Sequence, residues 1–289
     1  MNTATPFSLR IFIADGDPDG LRIVERSNWI GKAIIFPRAL FLKVRDREEF
    51  HQTGIYLLLG PREASDGDQI YIGEGDPVRP RFDQHYAKKD FWTKAVFFVA
   101  GQGQLNKAHV QYLEAQLIRD TINAKRVPLE NSNIPAEPTL SEADRADMEV
   151  FLNNIRGMLP VLGIHAFEKT TQKSKAGNPL LKCQGKSISA TGRDTTQGFV
   201  VQAGSHARKK ITPSLKQYFP STCDLRKQLL ENGVLVEEKD KYLFTQDYTF
   251  SSPSLAAQVI LGRSANGRID WKDSNGKTLK SLQEAEAVK

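Results

Sequence analysis

Two apolar runs, GIYLLLG (54–60) and QIYIGEG (69–75), flank the polar octapeptide PREASDGD. Runs of this length with turn-forming residues between them predict an antiparallel pair of strands. The two-residue strand period puts Tyr56 and Leu58 on one face, and Ile55, Leu57 and Leu59 on the other. In the second run Tyr71 and Gly73 share a face opposite Ile70 and Ile72, so both tyrosines can leave the same side of the sheet. PRFDQHYAKKDFW (80–92) opens with proline, which the first turn of a helix tolerates. KAVFFVAG (94–101) predicts a third strand, and QLNKAHVQYLEAQLIRDTINAK (104–125) a long helix. Upstream, LRIFIADGDPDGLRIVERSNW (9–29) predicts two strands around a Gly/Pro/Asp turn. In SEADRADMEVFLNNIRGMLPVLG (141–163), Ser141 is the expected N-cap. The stripe Met148, Phe151, Leu152 and Ile155 predicts a helix closing the first domain.

KTTQKSKAGNP (169–179) is polar and lysine-rich, the composition of a linker. Beyond it, strands are expected around CQGKSISATGR (183–193), GFVVQAGS (198–205) and KYLFTQDYTF (241–250). A helix near CDLRKQLLENG should end at Gly233. In SSPSLAAQVILG, Ser252 caps, Pro253 takes the first turn and Gly262 stops the helix. IDWKDSNGKTL predicts a hairpin on Asn275-Gly276. The expected class is α+β: a small antiparallel sheet flanked by helices, plus a second small α+β domain. The expected division is a strand-rich extension at 1–50, a core domain at 51–168, a linker at 169–181 and a basic domain at 182–289.

A chain of 289 residues accommodates two domains, and 39% hydrophobic with 26% charged residues is an ordinary globular composition. No apolar run approaches a membrane span, and the opening MNTATPFSLRIFIADG does not read as a secretory signal. Two distant cysteines, Cys183 and Cys223, suggest free thiols and a cytoplasmic setting. Charge is divided unevenly. Residues 1–165 hold 20 Lys+Arg against 22 Asp+Glu, and residues 166–289 hold 20 against 12. That points to a polyanion met by the second half; a merely solvated basic domain is the plain alternative. The DGDPDG loop resembles the start of a calcium loop, but its twelfth position is Arg26 instead of glutamate, so a turn is expected.

GEG before a helix suggests a phosphate cradle, yet a P-loop needs Lys-Ser/Thr after its last glycine. A different chemistry fits better. Arg81 and His85 lie four apart on one helical face; the first offers a planar fork to a phosphate and the second can carry a proton. Glu114 stands amid the apolar stripe of Val110, Leu117 and Ile118, where a carboxylate needs a partner such as a cation.

Gly54-Ile55-Tyr56, Tyr71-Ile72-Gly73, then Arg81, His85 and Glu114 in YLEAQLI, resemble the GIY-YIG nuclease family over about residues 52–135. Asn131 in PLENSN matches the asparagine that follows the family glutamate, with Asn133 the alternative. The fourteen residues between Tyr56 and Tyr71 make a longer hairpin than is common in the family. The resemblance implies a DNA endonuclease using one Mg²⁺ (or Mn²⁺) held by Glu114. Arg81 would clamp the scissile phosphate, and Tyr56 would position or deprotonate water with help from Tyr71 and His85. A tyrosine of ordinary pKa is a poor base at neutral pH, so this role requires a cationic neighbour or a proton relay.

From about Lys182 to Leu282 the chain resembles a C-terminal domain of unassigned function found in bacterial GIY-YIG proteins, and modules appended to restriction and modification enzymes. Arg263, Arg268 and Lys272 around Trp271 are candidates for DNA contacts, Trp271 by stacking; the competing reading places Trp271 in the core. Two rivals to the nuclease stand: a non-catalytic reader of DNA or modified DNA on the same scaffold, and an RNA-processing enzyme. Repair, restriction and mobility, and the oligomeric state, are left open by the sequence.

Overall fold

A computed structural model describes residues 6–62, 65–101, 103–167, 179–195 and 198–287. The chain divides into two compact units, Met1–Lys169 and Thr170–Lys289. Of the expected linker, 169–181, residues 169–178 lie outside the described residues.

In the first unit the strands are β1 (Leu9–Ile13), β2 (Arg22–Arg26), β3 (Gly31–Pro37), β4 (Gly54–Arg62), β5 (Ser65–Gly75) and β6 (Lys94–Ala100). The helices are α1 (Phe41–Val44), α2 (Arg79–Lys88), α3 (Lys107–Ala124) and α4 (Glu142–Met158). The sheet order is β1-β2-β3-β6-β4-β5, with every neighbouring pair antiparallel. Residues 1–50 thus supply half of this sheet, because β3 pairs along its whole length with β6. The sequence pattern does not reveal β3. A central strand buried on both faces loses its alternation, and AIIF is one continuous apolar run.

The sheet alternation separates two cores. Ile55, Leu57, Ile70, Ile72 and Phe98 meet Val110, Leu113 and Leu117 of α3 and Phe151 and Ile155 of α4. Tyr56, Leu58, Phe97 and Val99 face an aromatic layer of Phe36, Phe41, Phe50, Phe82 and Trp92. Phe82, on α2, packs edge-on to Phe36 at 5.5 Å and to Phe97 at 5.4 Å. Such pairs add about 0.5–1.5 kcal/mol each beyond area burial, which anchors α2 against the strands.

Helix starts follow local chemistry. The Asn106 side chain accepts from the His109 N–H at 2.9 Å, and His109 reaches back to the Asn106 N–H, forming a capping box for α3. Ser141 caps α4 by accepting from the Asp144 N–H. The β4–β5 ladder continues to Arg62 and Ser65, so most of the polar segment expected as a loop is paired strand. In the DGDPDG turn, Asp15 accepts from the backbone N–H of Asp17 and Leu21. Its carboxylate organises the turn, and these hydrogen bonds hold its pKa below the usual range.

The second unit contains β7 (Leu181–Gly185), β8 (Ile188–Thr195), β9 (Gly198–Val201), β10 (His206–Arg208), α5 (Pro213–Tyr218), α6 (Pro220–Glu231) and β11 (Leu235–Glu238). It continues with β12 (Lys241–Phe244), β13 (Tyr248–Phe250), α7 (Pro253–Leu261), α8 (Gly267–Asp270), β14 (Trp271–Lys272) and α9 (Leu279–Ala287). One sheet has the order β13-β9-β8-β7-β14 and the other β10-β12-β11. KYLFTQDYTF, expected as one strand, therefore splits between two sheets. Asp247 sits at the break and accepts from the Ala203 N–H at 2.8 Å. α7 has the expected ends: Ser252 accepts from the Leu255 N–H, and Gly262 adopts φ +63°. Its residues Ala256, Val259 and Ile260 cover Leu181, Cys183, Phe199 and Val201 of the five-stranded sheet. Both units are mixed α+β with antiparallel sheets.

Candidate functional site

The site forms where β4 and β5 pass beneath α2. Register places Tyr56 opposite Gly73 and Tyr71 opposite Leu58, so the two phenols are diagonal neighbours on one face. Their rings stack with centroids 6.3 Å apart. Gly54 and Gly73 are steric requirements of this strand pair. A Cβ on Gly73 would fall onto the Tyr56 hydroxyl, and one on Gly54 would meet the Phe98 carbonyl oxygen at 2.6 Å.

Burial of Phe82 fixes the face that α2 turns toward the strands, and His85 arrives with it, also buried. Tyr56 Oη lies 2.7 Å from His85 Nε2. Burial lowers the His85 pKa to about 4, and the charges of Arg81 and Lys89 push the same way. The imidazole is therefore neutral at pH 7, and with its proton on Nδ1 it accepts from the phenol. Tyr56 is wholly buried, which pushes its pKa up; the neighbouring Tyr71 adds to this, and Arg81 opposes it by charge and hydrogen bonding. Tyr71 is half-buried and raised for the same first reason, with the Arg81 charge pulling it back. The Lys89 ammonium lies 4.8 Å from the Tyr71 ring centroid and pairs with Glu130 at 3.4 Å.

Arg81 is half-buried beside both phenols and donates from Nη1 to Gln84 Oε1 at 3.2 Å. Its pKa is raised, first by the charge of Tyr56.

Glu114 projects from α3, whose neighbouring positions Leu113, Ala115 and Leu117 are buried. It is half-buried, and among the described residues no hydrogen bond or ion pair engages it. Burial and the nearby Glu74 raise its carboxyl to about 7, against the pull of Arg81 and Lys107. Glu74 itself is held by Lys107, with Nζ at 2.6 and 2.7 Å from its two oxygens. An ionised Glu114 lacks a bonded counter-charge, and a divalent cation would supply one. A single carboxylate suits Mg²⁺ or Mn²⁺, which keep much of their water. Among the described residues there is no group of three or more His, Cys, Asp or Glu able to form an all-protein metal cage.

Asn131 does not line this cluster with a free amide. Its Oδ1 accepts from the Ile72 N–H at 3.0 Å and its Nδ2 donates to the Ile72 carbonyl at 2.7 Å. With Ile70 N–H to Pro128 O at 3.0 Å and Glu130 N–H to Ile70 O at 2.8 Å, the segment Pro128–Asn131 covers the outer edge of β5. Asn131 therefore holds the Tyr71 strand in place. Asn133 is exposed.

Tyr56, Tyr71, Arg81, His85 and Glu114 thus form one connected electrostatic group. Sequence reasoning missed Glu74, Lys107 and Lys89. Glu74 was readable as the charged residue inside YIGEG; Lys107 pairs with it across 33 residues and leaves no local signal.

Of the residues expected to stack on or grip DNA in the second unit, Trp271 is not at the surface. Trp271 is fully buried, its ring 4.4 Å from that of Phe199 and its Nε1 donating to the Pro253 carbonyl at 3.0 Å. The strand parity that puts Trp271 opposite buried Cys183 turns it inward, so it is a core residue and offers no stacking face. Arg263 pairs with Asp270 at 2.8 Å, and Arg268 donates to Gln283 at 3.1 Å. Lys272 is exposed.

Residues 181–283 match a family described as a domain of unknown function (DUF4357). No curated protein and no solved structure matches the chain. Among the described residues no helix is long and apolar enough to cross a membrane.

Proposed function

We propose that this chain is a DNA endonuclease of the GIY-YIG type, hydrolysing phosphodiester bonds with one divalent cation. The observation that carries this reading is the convergence of two phenols, a neutral histidine, an arginine and an unpartnered carboxylate at one strand edge. A cation held by Glu114 would neutralise phosphate charge and stabilise the departing 3′ oxygen. Arg81 binds the scissile phosphate and stabilises the negative charge that develops on it. The buried Tyr56 cannot meet solvent directly, so the half-buried Tyr71 presents its hydroxyl to the attacking water. Neither raised phenol holds a phenolate at neutral pH, and the proton moves by relay. As Tyr71 takes a proton from water, it passes its own to the Tyr56 oxygen, and Tyr56 passes its own to His85 Nε2. Burial is the main cause of the low His85 pKa, and a bound phosphate would offset only the added push of the Arg81 and Lys89 charges.

Plasmid cleavage with Mg²⁺ tests the proposal. Wild type should nick or linearise the plasmid, and Glu114→Ala should bind DNA without cutting it. Equal activity in both would place the chemistry elsewhere. Binding by both with cleavage by neither, across duplex, structured and modified substrates, would favour the non-catalytic reader.

A further inference from the structure

The five-stranded sheet of the second unit has two unlike faces. Leu181, Cys183, Ala190, Phe199, Val201 and Trp271 turn inward beneath α7. The alternate positions Lys182, Gln184, Ser189 and Lys272 are exposed, and Thr191 is half-exposed. Register sets Lys272 opposite Lys182, and Lys182 opposite Thr191. Like charges directly across a ladder are destabilising. Among the described residues, neither lysine has a hydrogen-bond or ion-pair partner.

The nearby acids are already engaged. Asp270 pairs with Arg263, and Asp273 Oδ1 accepts from the backbone N–H of Asn275 and Lys277. Lys182, Gln184, Lys272 and Ser274, together with Asp270 and Asp273, line a cavity of about 440 Å³ at this sheet edge. Two ammonium groups side by side, neither in an ion pair among the described residues, with amide and hydroxyl donors around them, match consecutive phosphates of a nucleic-acid strand.

We infer that this open face, centred on Lys182 and Lys272, is a phosphate-gripping surface for duplex DNA. It rests on the reading of DNA as the substrate, and it assigns a role to the domain-of-unknown-function segment that the Trp271 cluster does not fill. Contacts of this kind position the protein without reading sequence.

The test uses the full chain and fluorescence anisotropy on a labelled duplex, in chelator so that no cleavage occurs, over a series of salt concentrations. Lys182→Gln/Lys272→Gln should weaken binding to unrelated duplexes alike. The slope of log affinity against log salt should become shallower by about 1.8, two lost phosphate contacts at ~0.9 each. Lys182→Arg/Lys272→Arg, keeping the charge, should restore both affinity and slope. An unchanged slope in the glutamine variant would overturn the inference, and so would a wild type that does not bind duplex DNA. A glutamine variant that self-associates but binds DNA normally would do the same, since Lys272 would then only guard the sheet edge. Mg²⁺-dependent cleavage, read separately, distinguishes the two readings. Loss of slope without any cleavage by wild type keeps the surface and removes the nuclease; cleavage with an unchanged slope does the reverse.

Discussion

Replacing Glu114 by glutamine should make the cation-free protein more stable while abolishing its activity, and the gain should depend on pH. Folding raises the Glu114 pKa from 4.5 to about 7. Between those values the folded state binds more protons than the unfolded state, so stability falls as pH rises through the window. The full shift corresponds to roughly 3 kcal/mol at 1.36 kcal/mol per unit; partial exposure of the carboxylate reduces this to about 1–2 kcal/mol. His85 works in the opposite direction. Its folded pKa lies below its ordinary value, from 6.5 to about 4. Its contribution is complete above 6.5 and is lost as pH falls through 4, an upper limit of roughly 3 kcal/mol.

Over the shared window the two groups offset each other, so wild type should show a shallow pH dependence there. Glu114→Gln removes one side. The variant should match wild type below about pH 4.5, exceed it by about 1–2 kcal/mol near pH 8, and lose stability more steeply on acidification. Urea unfolding followed by circular dichroism, repeated across pH without divalent cations, reads this directly. A wild type that is the more stable of the two near neutral pH would refute the reasoning, as would a difference that does not change with pH. Saturating Mg²⁺ should raise wild-type stability and leave the glutamine variant unmoved, because only a ligand bound to the folded state stabilises it.

Gly73→Ala should be damaging despite its size, because the new methyl lands on the Tyr56 hydroxyl; about 1–3 kcal/mol of stability should go, together with cleavage, as measured by urea titration and plasmid assay. Asn131→Ala leaves the Ile72 N–H and carbonyl without their partner and should cost about 1–3 kcal/mol, with kcat falling more than KM rises, as expected of a positioning residue. Trp271→Phe should retain DNA affinity in anisotropy measurements, whereas Trp271→Ala should lose about 3–5 kcal/mol of stability; a selective loss of DNA binding in a well-folded Phe variant would restore the stacking role.

Much of the first unit was legible because its signals are local. Strand period alone sets Tyr56 and Tyr71 on a common face, and Pro80 and Ser141 mark helix starts through their own backbone and side-chain chemistry. What was not legible depends on partners far away in sequence. β3 has no alternation because both its faces are covered, and Lys107 looks like any solvated lysine until Glu74 is placed beside it. Trp271 could not be decided from GRSANGRIDWK, since the same basic surroundings suit a stacking platform and a core residue. Its parity with Cys183 across the β7–β14 ladder decides it, and that register is a tertiary fact.

The cover that Pro128–Asn131 lays on β5 has a consequence for hydrogen exchange. The amides of Ile70 and Ile72 point away from β4, and their acceptors are the Pro128 carbonyl and the Asn131 side chain. Release of that short segment frees both amides while the β4–β5 ladder stays intact. Their exchange rates therefore gauge how often the Tyr71 strand is unclasped, separately from the opening of the sheet itself.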